Sequence, residues 1–189
     1  MVKVVDRFGA DRLRPGDILV SNYPYWNGAH TYDATLLAPV FDAGRRLPVA
    51  YLLIRVHWMD LGAKDPGYVL DSTDMHQEGL VLPGVRLMKE GVLDDSLVEI
   101  VRFNSRLPDQ LMGDVNAQLA AIATGQRRMA DALARFGIDR IERATAAILD
   151  HGERRTRRAL SELPEGEWHA ADWLDGDGIT DDPGKMAVT

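Results

Sequence analysis

Two apolar, β-prone runs, residues 34–41 (ATLLAPVF) and 48–57 (PVAYLLIRVH), flank the polar stretch Asp42-Ala43-Gly44-Arg45-Arg46. Runs joined this way fold as a hairpin, and a hairpin dictates which residues meet. A turn about Gly44 sets residue 31 opposite residue 57 and residue 33 opposite residue 55. The open end of this hairpin carries unusual chemistry. His30-Thr31-Tyr32-Asp33 precedes the first strand, and His57-Trp58-Met59-Asp60 closes the second, so the same His-x-x-Asp spacing occurs on both sides. Neighbouring strands lie about 4.8 Å apart, close enough for side chains from both to share one ion. A slip of one residue would move each side chain to the other face.

Imidazole and carboxylate donors suit divalent zinc, manganese or iron. A catalytic ion needs about three protein ligands and an open position. His30, Asp33 and His57 supply three, and Asp60 is expected as a fourth ligand or as a carboxylate behind them. An ion held there can polarise a carbonyl, stabilise an enolate or activate water. Taken singly, either histidine reads more readily as a hydrogen-bonded structural residue; the pairing across one hairpin brings a shared metal level with that reading.

The segment from Val56 to Leu80, VHWMDLGAKDPGYVLDSTDMHQEGL, is interrupted by Gly62, Pro66, Gly67 and Gly79 and reads as a long loop. Long polar loops between ordered segments are often functional. Glu78, in a Gln-Glu-Gly turn, is the best-placed candidate acid or base, although a helix or turn cap is the commoner role for such a residue. Asp71 and Asp74 read as turn caps. Trp58, Tyr25 and Trp26 either wall a pocket or pack in the core, and packing is the better reading.

The remainder points to an α+β chain: a mixed or antiparallel sheet, then an antiparallel helix pair. Residues 2–8 read as a helix end or a short strand. Arg14-Pro15-Gly16-Asp17 is a turn, residues 17–20 a buried strand, and Asn27-Gly28 a tight turn. Residues 80–87 are extended but broken at Pro83-Gly84, and residues 93–103 are helical. Residues 109–136 place apolar side chains at 111, 115, 119, 122, 129, 133 and 136, a helical period, and Gly137 ends the helix. A second helix covers 139–160, and its Glu153-Arg158 charge run reads as a solvated face. Beyond Pro164 come a strand at 168–174 and an acidic turn whose spacing fails that of a calcium loop. This gives three regions, 1–108, 109–163 and 164–189, within one domain.

Charge and composition exclude several functions. A net charge of -7 disfavours nucleic acid and anionic membranes as partners. With no cysteine, thiolate ligands, a cysteine nucleophile and disulfides are absent, in keeping with a reduced cytoplasm. No apolar run reaches the roughly 20 residues of a membrane span, and charges interrupt the N-terminal residues, unlike a signal peptide. There is neither a phosphate-binding G-x-x-x-x-G-K-[ST] loop nor a G-x-S-x-G elbow. If ATP is used, another chain binds it.

Several motifs occur in a fixed order: RPGD; N-x-P-Y-x-x-G-x-H-x-x-D from Asn22 to Asp33; H-x-x-D-x-G from His57 to Gly62; Q-E-G-L-x-x-P from Gln77 to Pro83. G-D-x-x-A-Q from Gly113 to Gln118 and G-x-R-R from Gly125 to Arg128 follow. Over Asp6 to Asp182 the chain resembles the hydantoinase B/oxoprolinase family, which includes the B-type halves of N-methylhydantoinase and 5-oxoprolinase and the alpha subunits of ketone carboxylases. The resemblance implies ATP-dependent hydrolysis of a cyclic amide or carboxylation of a ketone, beside an A-type subunit that binds ATP. It also implies a metal held by His30, Asp33 and His57. The chain departs from the usual pattern at Tyr23 (an acid), Ala29 (Thr), Trp58 (a second His), Arg86 (Lys) and Gln126 (Glu). Its length resembles the central piece of a B-type chain of this family. Two rival expectations are a non-catalytic piece packing on partner subunits and a self-sufficient metal-dependent amidohydrolase.

Overall fold

The computed structural model describes residues 1–67, 69, 71–176 and 180–188. The chain divides into two compact units, residues 1–131 and 132–189. The first is built on a five-stranded antiparallel sheet in the order β3-β2-β1-β4-β5. Its strands are β1 (Ile18–Ser21), β2 (Asp33–Val40), β3 (Ala50–His57), β4 (Pro83–Lys89) and β5 (Val92–Leu93). Helices α1 (Val2–Phe8), α2 (Pro24–Asn27), α3 (Asp95–Phe103) and α4 (Pro108–Phe136) complete it, α4 running on into the second unit.

The alternation of a strand explains how both sheet faces are covered. Ala34, Leu36 and Ala38 of β2 join Ile18 and Val20 of β1 in a core closed by Val101 of α3 and by Leu111, Val115 and Ile122 of α4. The intervening residues Leu19 and Leu37 point the other way and bury against Val4 and Leu13, with Phe8, Trp26 and Tyr51 around them. Even-numbered β2 residues therefore face α3 and α4, and odd-numbered ones face α1 and α2. On the edge strand β3, Leu52, Ile54 and Val56 pack toward α4, while Leu53 and Arg55 are exposed.

The hairpin forms as expected, with a shifted register. Asp33, not residue 31, lies opposite His57, and Thr35 lies opposite Arg55. The shift is two residues, so every side chain keeps its expected face. It arises because the connection is longer than the Asp42–Arg46 stretch: Val49 N–H donates to Val40 O at 2.8 Å, and pairing begins at Val40↔Ala50.

Other boundaries move for local reasons. Pro83-Gly84 does not break a strand but opens β4, and the first position of a strand is one where proline is tolerated. Leu93 belongs to β5, and the helix after it starts at Asp95 because the Asp94 carboxylate caps it, accepting from Leu97 N–H at 3.0 Å. The N-terminal half of α4 buries Leu111, Val115 and Ile122 in the sheet core.

In the second unit, α5 (Ile138–Ser161) follows α4 across Gly137, and β6 (Ala170–Leu174) pairs with β7 (Gly184–Val188) as an antiparallel hairpin. No residue of α5 is buried. Ile148, Leu149, Leu160, Trp173, Met186 and Val188 are all exposed. The charge run is a solvated face, with Arg157 bonded to Glu153 and Arg158 to Glu162 at i,i+4. The acidic turn after β6 includes residues 177–179, which lie outside the described residues. No helix among the described residues is long and apolar enough to cross a membrane.

Candidate metal centre

His30, Asp33 and His57 come together at the open end of the hairpin, each offering a ligand atom within 4.8 Å of the others. His57 Nδ1 lies 3.1 Å from Asp33 Oδ1, and His30 Nδ1 lies 3.7 Å from Asp33 Oδ2. Donors about 2.1 Å from a tetrahedral ion are roughly 3.4 Å apart, so the spacing fits a divalent ion with modest adjustment. The side chains are 63%, 21% and 30% exposed in the order His30, Asp33, His57. The cluster therefore has an open side for water or substrate.

Backbone pairing places Asp33 and His57, since they are the first residue of β2 and the last of β3 and sit directly opposite. A tight turn places His30: Asp33 N–H donates to His30 O at 3.0 Å, and His30 N–H donates to Asp33 Oδ2 at 3.3 Å. The turn is pinned from several directions. Asn22, fully buried, donates through Nδ2 to Thr31 O (2.7 Å) and Leu80 O (2.8 Å) and accepts from Leu82 N–H (2.6 Å). Trp58 N–H donates to Tyr32 O at 2.9 Å. The Tyr32 ring leans on the His57 ring with centroids 5.4 Å apart, and its hydroxyl donates to Asp65 O. Burial, together with the Asp60 charge, pushes the Tyr32 phenol above its usual range, so it stays a neutral donor.

Glu78 lies behind this turn. Its Oε2 accepts from Thr31 Oγ1 at 3.0 Å and its Oε1 from Ser72 Oγ at 2.8 Å. It ends a 3-10 turn, Met75–Glu78, which Asp74 caps by accepting from His76 N–H at 2.8 Å, as the sequence led us to expect of Asp74. Gly79 then takes φ +98, and a Cβ there would sit 2.5 Å from Leu61 O, so only glycine fits this close crossing. Asp71 is paired with Lys64.

Asp60 does not join the cluster, contrary to the expectation from its spacing. It is fully buried, and both oxygens are engaged: Oδ2 by Arg106 N–H and Nε, Oδ1 by Arg106 Nη2 at 2.6 Å and Gly62 N–H at 3.1 Å. The Arg106 guanidinium holds this carboxyl below its usual range. Trp58 is packed in the core, as expected, while Tyr25 is 75% exposed.

Gln118, which in the sequence only ends the G-D-x-x-A-Q motif, has a structural role that the sequence reading did not assign. Its side chain is 1% exposed and sits behind the hairpin's far face. Gln118 Oε1 accepts from Trp58 Nε1 at 2.8 Å, and its Nε2 donates to Ala34 O and Ile54 O at 3.0 and 3.1 Å. One amide thus ties β2, β3 and the residue after His57 to α4. Gln118→Leu would leave the indole N–H without its acceptor, and we expect a loss of about 2–3 kcal/mol, measured by urea unfolding. An unchanged midpoint would contradict this account of the tie.

The family model for hydantoinase B/oxoprolinase matches residues 1–189. The chain belongs to the hydantoinase B/oxoprolinase family. The B-type chain of a putative D-/L-hydantoinase from Pseudomonas sp. (strain NS671) is 30% identical over 177 residues, covering 93% of this chain and 30% of that protein. The beta chain of caprolactamase from Pseudomonas jessenii is 29% identical over 191 residues, covering 100% of this chain and 32% of that protein. The crystal structure of the ATP-dependent caprolactamase from that organism shares the fold, with a TM-score of 0.82 at 24% identity over 100% of this chain and 33% of the matched chain. A nucleotide-free acetone carboxylase structure shares it more distantly, with a TM-score of 0.63 at 16% identity over 72% of this chain and 18% of that one. The chain thus spans about a third of the length of these two curated hydantoinase B/oxoprolinase relatives.

Proposed function

We propose that this chain is the metal-bearing core of a hydantoinase B/oxoprolinase-type subunit, acting in ATP-dependent opening of a cyclic amide while an A-type partner binds ATP. The observation that carries the proposal is the His30–Asp33–His57 cluster, held at the end of the hairpin with one side open. Manganese, zinc or iron suits two imidazoles and a carboxylate, and a divalent ion there would supply Lewis-acid polarisation of a carbonyl. Within this reading, Asp33 and His57 fix the ligand spacing through strand pairing, and Tyr32 orients the His57 ring. Glu78, joined to the His30 turn through Thr31, is the group for moving a proton. The reading places the protein in the cytoplasm.

ATP belongs to the partner in this reading because the chain has no phosphate loop of its own. The similarity to a hydantoinase chain and to a caprolactamase supports amide opening, and the acetone carboxylase fold keeps ketone carboxylation as the second reaction class. A third reading, a piece serving mainly to pack on partner subunits, draws on the exposed apolar side chains of α5 and the β6–β7 hairpin.

The test is reconstitution with an A-type partner. Hydantoin, 5-oxoproline and caprolactam are offered with ATP, and acetone is offered with labelled bicarbonate and ATP. We expect ATP-dependent ring opening of at least one amide, lost in His57→Ala although that variant still binds the partner. Turnover by the chain without ATP or partner would instead establish a self-sufficient amidohydrolase. A His57→Ala complex as active as wild type would overturn the reading.

A further inference from the structure

The sheet face that carries the cluster holds a further group. One step along the hairpin from Asp33↔His57, Thr35 pairs with Arg55. The pleat puts all four side chains on one face, with the Arg55 and His57 Cα atoms about 7 Å apart. Arg55 is exposed, yet its guanidinium is fixed. Its Nε donates to Thr35 Oγ1 at 3.2 Å, and its Nη2 donates to Asn27 O at 3.0 Å. Both acceptors are themselves anchored: Thr35 is 2% exposed, and Asn27 Nδ2 donates to Ser21 O at 3.0 Å.

A guanidinium has five N–H donors. These two bonds engage two of them, and the other three, including both on Nη1, meet no acceptor among the described residues. No carboxylate pairs with Arg55 among the described residues either. An ordinary surface arginine is loose or salt-bridged. This one is oriented through neutral partners, so its charge stays uncompensated beside the cluster. With a divalent ion in place, Asp33 and Arg55 leave this face with a net charge of about +2, which an anionic ligand would offset.

We propose that Arg55 forms an oxyanion subsite of the His30–Asp33–His57 centre. The species bound there carries a carboxylate, or a phosphoryl group added by ATP, about 7 Å along the strand from the atom at the centre. This rests on the metal reading given under Proposed function. The shared chemistry is a charged oxygen pair facing the free side of the guanidinium, a geometry arginine suits better than lysine.

The test uses the full chain loaded with Mn2+, titrated with succinate and, separately, with inorganic phosphate, and followed by the Mn2+ EPR signal and by calorimetry. Wild type is compared with Arg55→Gln and Arg55→Lys. The expected result is at least about tenfold weaker oxyanion binding in Arg55→Gln, an intermediate value in Arg55→Lys, and undiminished Mn2+ affinity in both, which also certifies their folding. Preference for succinate assigns the subsite to a substrate carboxylate, and preference for phosphate assigns it to an activated phosphoryl group. Equal oxyanion affinity in wild type and Arg55→Gln, with Mn2+ bound, overturns the subsite and leaves the metal reading standing. Failure of wild type to bind Mn2+, Zn2+ or Fe2+ overturns both.

Discussion

Replacing His57 or Asp33 with alanine should lower Mn2+ affinity by at least about a hundredfold, more than a supporting residue behind the ligands would cost. Both side chains sit at the same rung of the hairpin, 3.1 Å apart. Removing either leaves two donors, too few to hold a labile divalent ion at micromolar concentration. Asp33 should be the more damaging loss, since it touches both imidazoles and accepts from His30 N–H. His30→Ala should fall in the same direction with a smaller effect, because its ring is the most exposed of the three. Elemental analysis of the purified chain, beside titration with manganese, zinc and iron, gives the answer. Variants that retain as much metal as wild type would show that the cluster is not the site. Asp60→Asn provides the contrast: it should leave metal content unchanged while weakening the fold.

Arg106→Ala should lower stability at neutral pH, because it breaks the pair from one side and leaves the buried Asp60 carboxylate short of its partner. Solvent tempers the loss, since Arg106 is 45% exposed and its charge is partly screened, whereas the Asp60 side chain is 0% exposed. The variant keeps the donations from the backbone N–H groups of residues 106 and 62 but loses both guanidinium bonds. The pH dependence follows from the direction of the shift. Asp60 is held below its usual range chiefly by the Arg106 side-chain hydrogen bond. Its contribution to stability is therefore complete above the unfolded carboxyl value near 3.9 and is lost as pH falls through the lower folded value. Arg106→Ala relieves much of that depression, so the gap between variant and wild type should narrow in acid. Urea unfolding at pH 7 and pH 3 checks it; a gap that widens in acid would refute the assignment.

The local patterns in the chain were legible wherever a residue's neighbours in sequence are also its neighbours in space. The hairpin, the turn at Gly137 and the cap at Asp74 are of this kind. The register was read two residues off, since turn length depends on how far pairing survives toward the loop, and composition does not reveal that. The parity survived because the apolar alternation sets it. Asp60 was misread for a different reason. Its His-x-x-Asp spacing matches that of Asp33, but its partner lies 46 residues away in the α3–α4 connection, and no local pattern announces a guanidinium arriving from there. Gln118 did leave a trace: a polar residue at the 111, 115, 118, 122 positions, on the apolar stripe of α4. A polar side chain on a buried stripe demands partners, and here they are two strand carbonyls and an indole.

The alternation of the central hairpin has a consequence for fidelity. Ala34, Leu36, Ile54 and Val56 face α4, while Asp33, Thr35, Arg55 and His57 face the opposite side. A slip by one residue would press an aspartate, an arginine and a histidine into the oily side and turn a row of aliphatic groups out to water. The packing of α4 therefore rejects each misaligned pairing before any ligand arrives. A part of the molecule that never touches the ion keeps its donors in register, and mutations that soften that packing would scramble the chemistry without altering a single donor.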